Sequence, residues 1–441
     1  MIGCRPYPMR HAPIDPELFT ANRANLAALL PENALAIVNA NDLLPVNADG
    51  LLTMQPNSDL FYLTGIEQEE TVLLLAPQAF DPRHREILFL RQPTELSAIW
   101  EGHKYSKEEA QKVSGIASVH WISELPGLLR QLICDADAVF LNSNEHKRAH
   151  VEVETRDARF ARECMTRYPL HRYERLAPLL HKLRLCKSKP EIDLMRKAIE
   201  ITGAGFERVC RFVAPGVAEQ EVEAEFAHEF IRKGAGFAYT PIVASGKNAC
   251  VLHYIENNER CKNGDLLLLD VGAKYANYAA DLTRTIPVNG KFTRRQKAVY
   301  NAVLRVMRAS IAGATVGKLH RDWQREAQVH MNEELLELGL LKPRDVRKHT
   351  PEKPACSKYF MHGLGHPLGL DVHDVGSLRT PFQAGWVLTV EPGIYLPEEG
   401  FAVRLENNIF LTETGPKDLT GHIPVEAEEI EELMHRPKKV R

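Results

Sequence analysis

The sequence predicts an α+β protein in two domains, a smaller α/β domain over residues 1–175 and a larger α+β domain over residues 176–441. Three observations carry this expectation. The chain has 441 residues, too many for one ordinary hydrophobic core. Its first part alternates short β-type runs with amphipathic segments, which is the pattern of an α/β layer. Its remainder twice shows two helices followed by β-type runs, as a duplicated half-unit would, although the two halves share no visible sequence identity.

In the first domain the β-type runs are Ala36 to Val38, Thr71 to Leu75, Glu86 to Leu90 and Ala138 to Leu141, with amphipathic segments near 106–113 and 123–133. A basic helical stretch from Leu176 to Arg184 leads into Ser188-Lys189-Pro190-Glu191, whose Ser188 and Glu191 have capping-box spacing. Apolar residues then recur with helical period at Ile192, Met195, Ile199, Phe206, Val209 and Val213, until Pro215-Gly216 stops the helix. A second helix is expected from Glu219 to Lys233, then β-type runs over Thr240 to Ser245 and Asp265 to Pro287. The plan repeats. Thr293 and Gln296 open a helix to about Ile311, another runs from Leu319 to Leu338, and β-type stretches follow at Leu368 to His373, Trp386 to Tyr395 and Ala402 to Thr412. The charged tail from Glu426 to Arg441 is expected to fray.

Hydrophobic residues make up 44% and charged residues 26%, the balance of a folded soluble chain. The net charge of -3 offers no basic surface of the kind that nucleic acid or an anionic membrane selects. No stretch approaches the roughly 18 apolar residues of a membrane span. The start, Met1 to Pro8, lacks the apolar region of a signal peptide, so a cytoplasmic protein is expected. The eight cysteines, Cys4, Cys134, Cys164, Cys186, Cys210, Cys250, Cys261 and Cys356, show no zinc-type spacing and read as reduced structural thiols.

The chemistry concentrates in the second domain. Asp270 ends the apolar run Leu266 to Leu269, and Asp281 follows just before Leu282-Thr283. Carboxylates beside such runs are expected to be buried, which is costly without a cation. A hairpin turning near Lys274 to Asn277 would bring the two together; the plainer alternative for Asp281 is a turn or cap residue. His362-Gly363-Leu364-Gly365-His366 is followed by Asp371-Val372-His373-Asp374. Three histidines this close are dense for a chain holding 18, and the flanking glycines suggest a backbone packed near a ligand or ion rather than a helix. Val390-Glu391-Pro392-Gly393 again ends an apolar run with a carboxylate. In Arg404-Leu405-Glu406-Asn407, strand geometry would put Arg404 and Glu406 on one face, where an exposed ion pair is the plainer reading. Four carboxylates and one histidine make an oxygen-rich donor set that suits manganese, with cobalt, iron or zinc as alternatives. Such a site activates water near neutral pH and polarises a peptide carbonyl.

At these residues the sequence resembles the "pita-bread" metallopeptidases, and within them the aminopeptidase P (Xaa-Pro aminopeptidase) family. The segments that carry the resemblance are Leu269 to Gly272, Ala280 to Thr285, His362 to Asp374, Thr389 to Tyr395 and Val403 to Glu406. Most are shared with prolidases. Pro56 to Gly65 resembles the family's N-terminal domain, which methionine aminopeptidases lack.

The resemblance implies a pita-bread catalytic domain holding two divalent ions. Asp270 would chelate one ion, Asp281 and Glu406 would bridge both, and His366 and Glu391 would complete the other shell. Glu391 would also accept a proton from the attacking water and pass it to the leaving proline nitrogen. His253 matches the family histidine beside the scissile bond, and His373 the one that steadies the tetrahedral intermediate. His362, Tyr395 and Arg404 match the lining of the proline pocket. Trp100 matches a tryptophan that the family's N-terminal domain lends to a neighbouring subunit, and a homodimer or homotetramer is implied. Asn407 departs from the acidic residue that often follows the last ligand, which lowers negative charge near the site. The basic segment Lys342 to Lys358 has no clear counterpart.

The implied activity is release of the first residue from peptides with proline second. An Xaa-Pro bond carries no amide hydrogen, so a ring-shaped pocket lined by histidines suits it. A prolidase, which cleaves only the dipeptide, is the nearest alternative. A non-catalytic binding protein on the same fold would be expected to have lost ligand positions, and all five are filled.

Overall fold

The computed structural model describes residues 10–149, 152–348, 350 and 353–435. Cys4, residues 436–441 of the tail and positions 349, 351 and 352 of the 342–358 segment lie outside the described residues. The chain divides into two compact units, Met1–Arg184 and Leu185–Arg441.

The first unit is built on a six-stranded mixed sheet in the order Ser118–Trp121, Glu86–Leu90, Val72–Leu75, Ala34–Asn39, Ala138–Leu141, Tyr173–Arg175. Val72–Leu75 runs antiparallel to both neighbours, and the outer pairings are parallel. Ala34–Asn39 is buried throughout, so it reads as a continuous apolar run rather than an alternating one. Leu35, Ile37, Leu74, Phe89, Ile133 and Val139 form the core. The predicted amphipathic segments are the helices Lys107–Ser114 and Leu125–Asp135, the first opened by a Ser106/Glu109 capping box.

A polar cluster is sealed at the ends of two central strands. Asn39 Nδ2 donates to Asp157 Oδ1 at 2.9 Å. Asn142 Nδ2 donates to Asp59 Oδ2 at 2.9 Å, and Arg184 Nη1 to Asp59 Oδ1 at 2.7 Å. Burial, with the Asp59 charge adding to it, pushes the Asp157 carboxyl up to about 7 against the Asn39 hydrogen bond.

In the second unit the long helix Lys189–Phe212 starts at the Ser188/Glu191 capping box and packs against Glu219–Arg232. The second pair, Arg294–Gly313 and His320–Glu337, repeats this arrangement, the first again capped by Thr293 and Gln296. Ile242–Ser245, Leu266–Asp270 and Thr283–Pro287 form an antiparallel sheet. Val387–Val390 pairs with Asn407–Thr412, and Gly393–Leu396 with Phe401–Arg404.

Three β expectations are corrected. The stretch from Trp386 to Tyr395 is not one strand: it breaks at Glu391-Pro392, because proline has no N–H for a ladder. The opposing stretch, Ala402 to Thr412, breaks opposite it, at Leu405-Glu406, and the same antiparallel register resumes beyond the gap, from Val390–Asn407 to Gly393–Arg404. Leu368 to His373 forms no strand. Its amides go elsewhere, Leu368 N–H to Val387 O at 3.0 Å and Gly369 N–H to Asp371 O at 3.1 Å. The bend packs over the buried ion pair of Lys187 and Asp374, where a Cβ on Gly369 would lie 2.2 Å from Asp374 Oδ2.

Candidate active site and metal centre

The predicted hairpin is present. Tyr275 pairs with Tyr278 across Ala276 and Asn277, whose φ values are 48° and 65°, the left-handed pair of a type I′ turn. The returning chain passes so close that a Cβ on Gly272 would lie 1.8 Å from Ala280 O. This brings Asp270 and Asp281 together under one hydroxyl: Tyr239 Oη lies 2.6 Å from Asp270 Oδ1 and 2.5 Å from Asp281 Oδ1. Asp281 is no exposed turn residue. It is buried, and Asn408 clasps its backbone, Nδ2 donating to Asp281 O at 2.6 Å and Oδ1 accepting its N–H at 3.2 Å.

Asp281, His366 and Glu406 each offer an atom within 4.8 Å of the others, and all three are buried. A carbonyl only accepts, so the 3.0 Å contact of His366 Nδ1 with Pro367 O puts the ring proton on Nδ1. Nε2 therefore directs its lone pair at Asp281 Oδ2, 3.5 Å away, and Glu391 Oε1, 3.7 Å away. The His366 backbone is fixed by Thr389, whose carbonyl would be 2.0 Å from a Cβ on Gly365, and by His320 Nε2–H, which donates to Gly365 O at 2.9 Å.

Glu406 sits in the break between strands. Its N–H donates to Thr283 O at 3.0 Å, and its Oε2 accepts from Thr283 Oγ1 at 2.7 Å. Its Oε1 is buried without a hydrogen-bond partner. Burial first, then the neighbouring carboxylates, push Asp281 and Glu406 well above the usual carboxylate range. Carboxylate oxygens in mutual repulsion, one orphaned oxygen and one imidazole lone pair fit a divalent cation, and the donors are those of the harder metals.

Arg404 does not form the exposed ion pair with Glu406 that strand geometry allowed. Its strand ends there, both residues are buried, and Arg404 Nη2 donates to Asp270 Oδ2 at 2.6 Å while Nη1 donates to Tyr395 Oη at 2.8 Å. Burial works against the Arg404 charge, but Tyr395 and Asp270 outweigh it. Tyr395 passes the polarity on: its hydroxyl lies 2.8 Å from His362 Nε2. His362 Nδ1–H is given to Gly363 O at 2.8 Å, so Nε2 accepts. Burial, then the Arg404 charge, pushes His362 down to about 4, and the His253 charge adds to this; the ring is neutral.

The remaining predicted residues fall around this wall. His373 stands perpendicular to His366, with ring centroids 4.2 Å apart. His253 is exposed in an irregular turn. Glu391 Oε2 lies 3.8 Å from His362 Nδ1. Asn407 Nδ2 donates to Asp418 Oδ2 at 2.6 Å. Trp100, in the first unit, ends the helix Glu95–Trp100 and is exposed. Tyr239, Asn408, Thr283 and His320 were not among the residues the sequence singled out. Tyr239, Asn408 and Thr283 act on a ligand's backbone or second oxygen and His320 on the carbonyl just before His366, and no spacing pattern marks such residues.

A family model for metallopeptidase family M24 matches residues 193–413, and one for the aminopeptidase P N-terminal domain matches residues 19–140. The Xaa-Pro aminopeptidase of Escherichia coli (strain K12) is 36% identical over 437 residues, covering 96% of this chain and 98% of its own. A solved structure of a putative aminopeptidase P from Bacillus anthracis superposes with a TM-score of 0.88 at 31% identity, covering 96% of this chain and 98% of that one. Zinc-substituted E. coli aminopeptidase P in complex with product gives a TM-score of 0.85 at 35% identity, with coverage of 96% and 99%.

Proposed function

Since the chain belongs to metallopeptidase family M24, and within it to the Xaa-Pro aminopeptidases, we propose that it releases the N-terminal residue from peptides whose second residue is proline. It is a metal-dependent aminopeptidase, a hydrolase of peptide bonds. The observation that carries the reading is the buried convergence of Asp281, His366 and Glu406 inside the region matched by the family model.

Asp270, Asp281, His366, Glu391 and Glu406 would hold the metal, as two ions with manganese preferred, a choice supported by the predominance of oxygen donors. When bound, the metal supplies Lewis-acid polarisation of the scissile carbonyl and activation of water. Glu391, less buried than its neighbours, is the group we assign to take a proton from the attacking water and hand it to the leaving nitrogen. Arg404, Tyr395 and neutral His362 form one hydrogen-bonded wall, which we assign to the proline ring. A tertiary prolyl nitrogen has no hydrogen to donate, so a wall with its acceptors already used fits it. His253 and His373 are assigned to the scissile carbonyl, where a donor stabilises developing negative charge.

Among the described residues no helix is long and apolar enough to cross a membrane. Among the described residues the cysteines form no disulfide with one another, which supports a reducing compartment such as the cytoplasm. A homodimer or homotetramer is the proposed assembly, supported by the apolar surface that Leu96, Ile99 and Trp100 expose.

The test is hydrolysis of an Xaa-Pro-Yaa tripeptide beside the matching Xaa-Pro dipeptide, with purified protein and added manganese. Release of the first residue from the tripeptide supports the proposal. Cleavage of the dipeptide alone would make the protein a prolidase, and cleavage of neither, in folded metal-loaded protein, would sink the peptidase reading.

A further inference from the structure

The helix Glu219–Arg232 opens on a carboxylate that the chemistry above does not use. Glu219 is fully buried, which is costly for a charge unless donors surround it. They do. Oε1 accepts from Ser245 N–H and Ser245 Oγ–H, each at 2.7 Å, and from Asn248 Nδ2 at 3.4 Å. Oε2 accepts from Tyr254 Oη at 2.8 Å and Glu259 N–H at 3.0 Å. The Glu219 N–H in turn donates to Glu259 O at 2.9 Å.

These partners bracket one stretch of chain. Ser245 ends the strand Ile242–Ser245, and residues 251–259 carry neither helix nor strand. A segment without ladder or helix bonds has no regular structure to hold its course. Asn257 ties the far part of the segment to Val243 N–H and Pro241 O, while the Glu219 carboxylate holds it at both ends and at Tyr254, the residue next to His253. Stability alone does not call for this arrangement, since well-packed apolar residues of similar volume serve a buried site at least as well as a charge. What a carboxylate adds is direction, several donors converging on two atoms.

We propose that Glu219 is a positioning residue for the peptidase reaction: by gathering Ser245, Tyr254 and Glu259 onto one carboxylate, it fixes the loop that presents His253 to the substrate. This rests on the role assigned to His253 above. Glu219 touches no reacting atom in this scheme. It acts through the loop.

The test is a double-mutant cycle on the whole metal-loaded chain with an Xaa-Pro-Yaa tripeptide, comparing wild type, Glu219→Gln, His253→Ala and the double variant. Glutamine keeps the volume but turns two of its hydrogens toward donors. Glu219→Gln is expected to lower kcat by roughly 10- to 100-fold, the scale of a catalytic group displaced by about 1 Å, with a smaller change in KM and unchanged bound metal by elemental analysis. In the His253→Ala background the same change should cost less than about 2-fold, because coupled residues lose their effect together. Losses that multiply, or metal lost from Glu219→Gln, overturn the proposal while leaving the His253 role intact. Wild-type turnover in His253→Ala overturns that role and the proposal with it. If Glu219→Gln does not fold, Tyr254→Phe removes a single bond and serves in its place: a kcat loss that vanishes in the His253→Ala background supports the proposal, and one that persists overturns it.

Discussion

Tyr239 and Asp281 meet at 2.5 Å through the tyrosine hydroxyl, which also lies 2.6 Å from Asp270. One phenolic proton serves two carboxylates. Burial, with the charges of Asp270 and Asp281 adding to it, raises the Tyr239 pKa well above its ordinary value and keeps that proton in place. Tyr239→Phe should therefore loosen the orientation of both ligands and weaken metal affinity by roughly 10- to 100-fold, the range for partners that orient metal ligands. Competition with a chelator, followed by elemental analysis, measures this. Wild-type retention would show that the hydroxyl does not orient the ligands.

Glu406→Gln and Asp281→Ala should abolish turnover yet raise the stability of the metal-free protein at alkaline pH. The folded pKa of each carboxyl is raised. Folding therefore favours the protonated form. That stability is fully present below the ordinary carboxylate value of about 4 and declines as pH rises toward the folded value. Metal should reverse the decline in the wild type, by about 2.7 kcal/mol at a hundredfold excess over Kd. Thermal unfolding from pH 5 to 9, with and without metal, separates these effects. Near-wild-type rates in either variant would overturn the site.

The side chains of Lys187 and Asp374 lie 2.9 Å apart, each 1% exposed. Lys187→Met strands the carboxylate beside the bend that leads to His373, at an expected cost of about 3–5 kcal/mol. Lys187→Met with Asp374→Leu should cost distinctly less, since no lone charge remains. Denaturant titration of the three proteins decides it. Equal losses in single and double variants would mean the pair is not the source.

Asp157 gives a pH dependence away from the active site. Its folded pKa is raised to about 7, so its contribution is complete below about 4 and falls away as pH rises to about 7. Asp157→Asn should be more stable than wild type at pH 8 and lose that advantage at pH 4. The new amide also has an acceptor to hand in Asn39 Oδ1, which is buried without a partner. Parallel stability curves for the two proteins across this range would rule out the assignment.

Much of this was legible in sequence because it is local. The capping boxes at Ser188 and Thr293, the hairpin at Ala276-Asn277 and the clustering of carboxylates at the ends of apolar runs all follow from residues a few positions apart. What escaped was set by distant partners. Nothing near Glu406 in sequence tells that Arg404 turns to Asp270, because that pairing depends on how the sheet Ile242–Ser245, Leu266–Asp270 and Thr283–Pro287 lies beside the hairpin Gly393–Leu396 and Phe401–Arg404. Leu368 to His373 has strand-like residues, but Gly369 must bend closely against the Lys187–Asp374 pair, and tertiary packing outweighs propensity there.

Gly272 and Gly365 set a limit on how this enzyme can vary. At both, the first side-chain atom would land inside a backbone carbonyl, 1.8 Å from Ala280 O and 2.0 Å from Thr389 O. Backbone cannot rotate aside as a side chain can, so size is irrelevant: alanine fails as completely as tryptophan. In a randomised library these two codons would have a single viable solution and no gradient leading to it. Engineering for new substrates must therefore leave both untouched and take its freedom from the loops that carry His253 and His373.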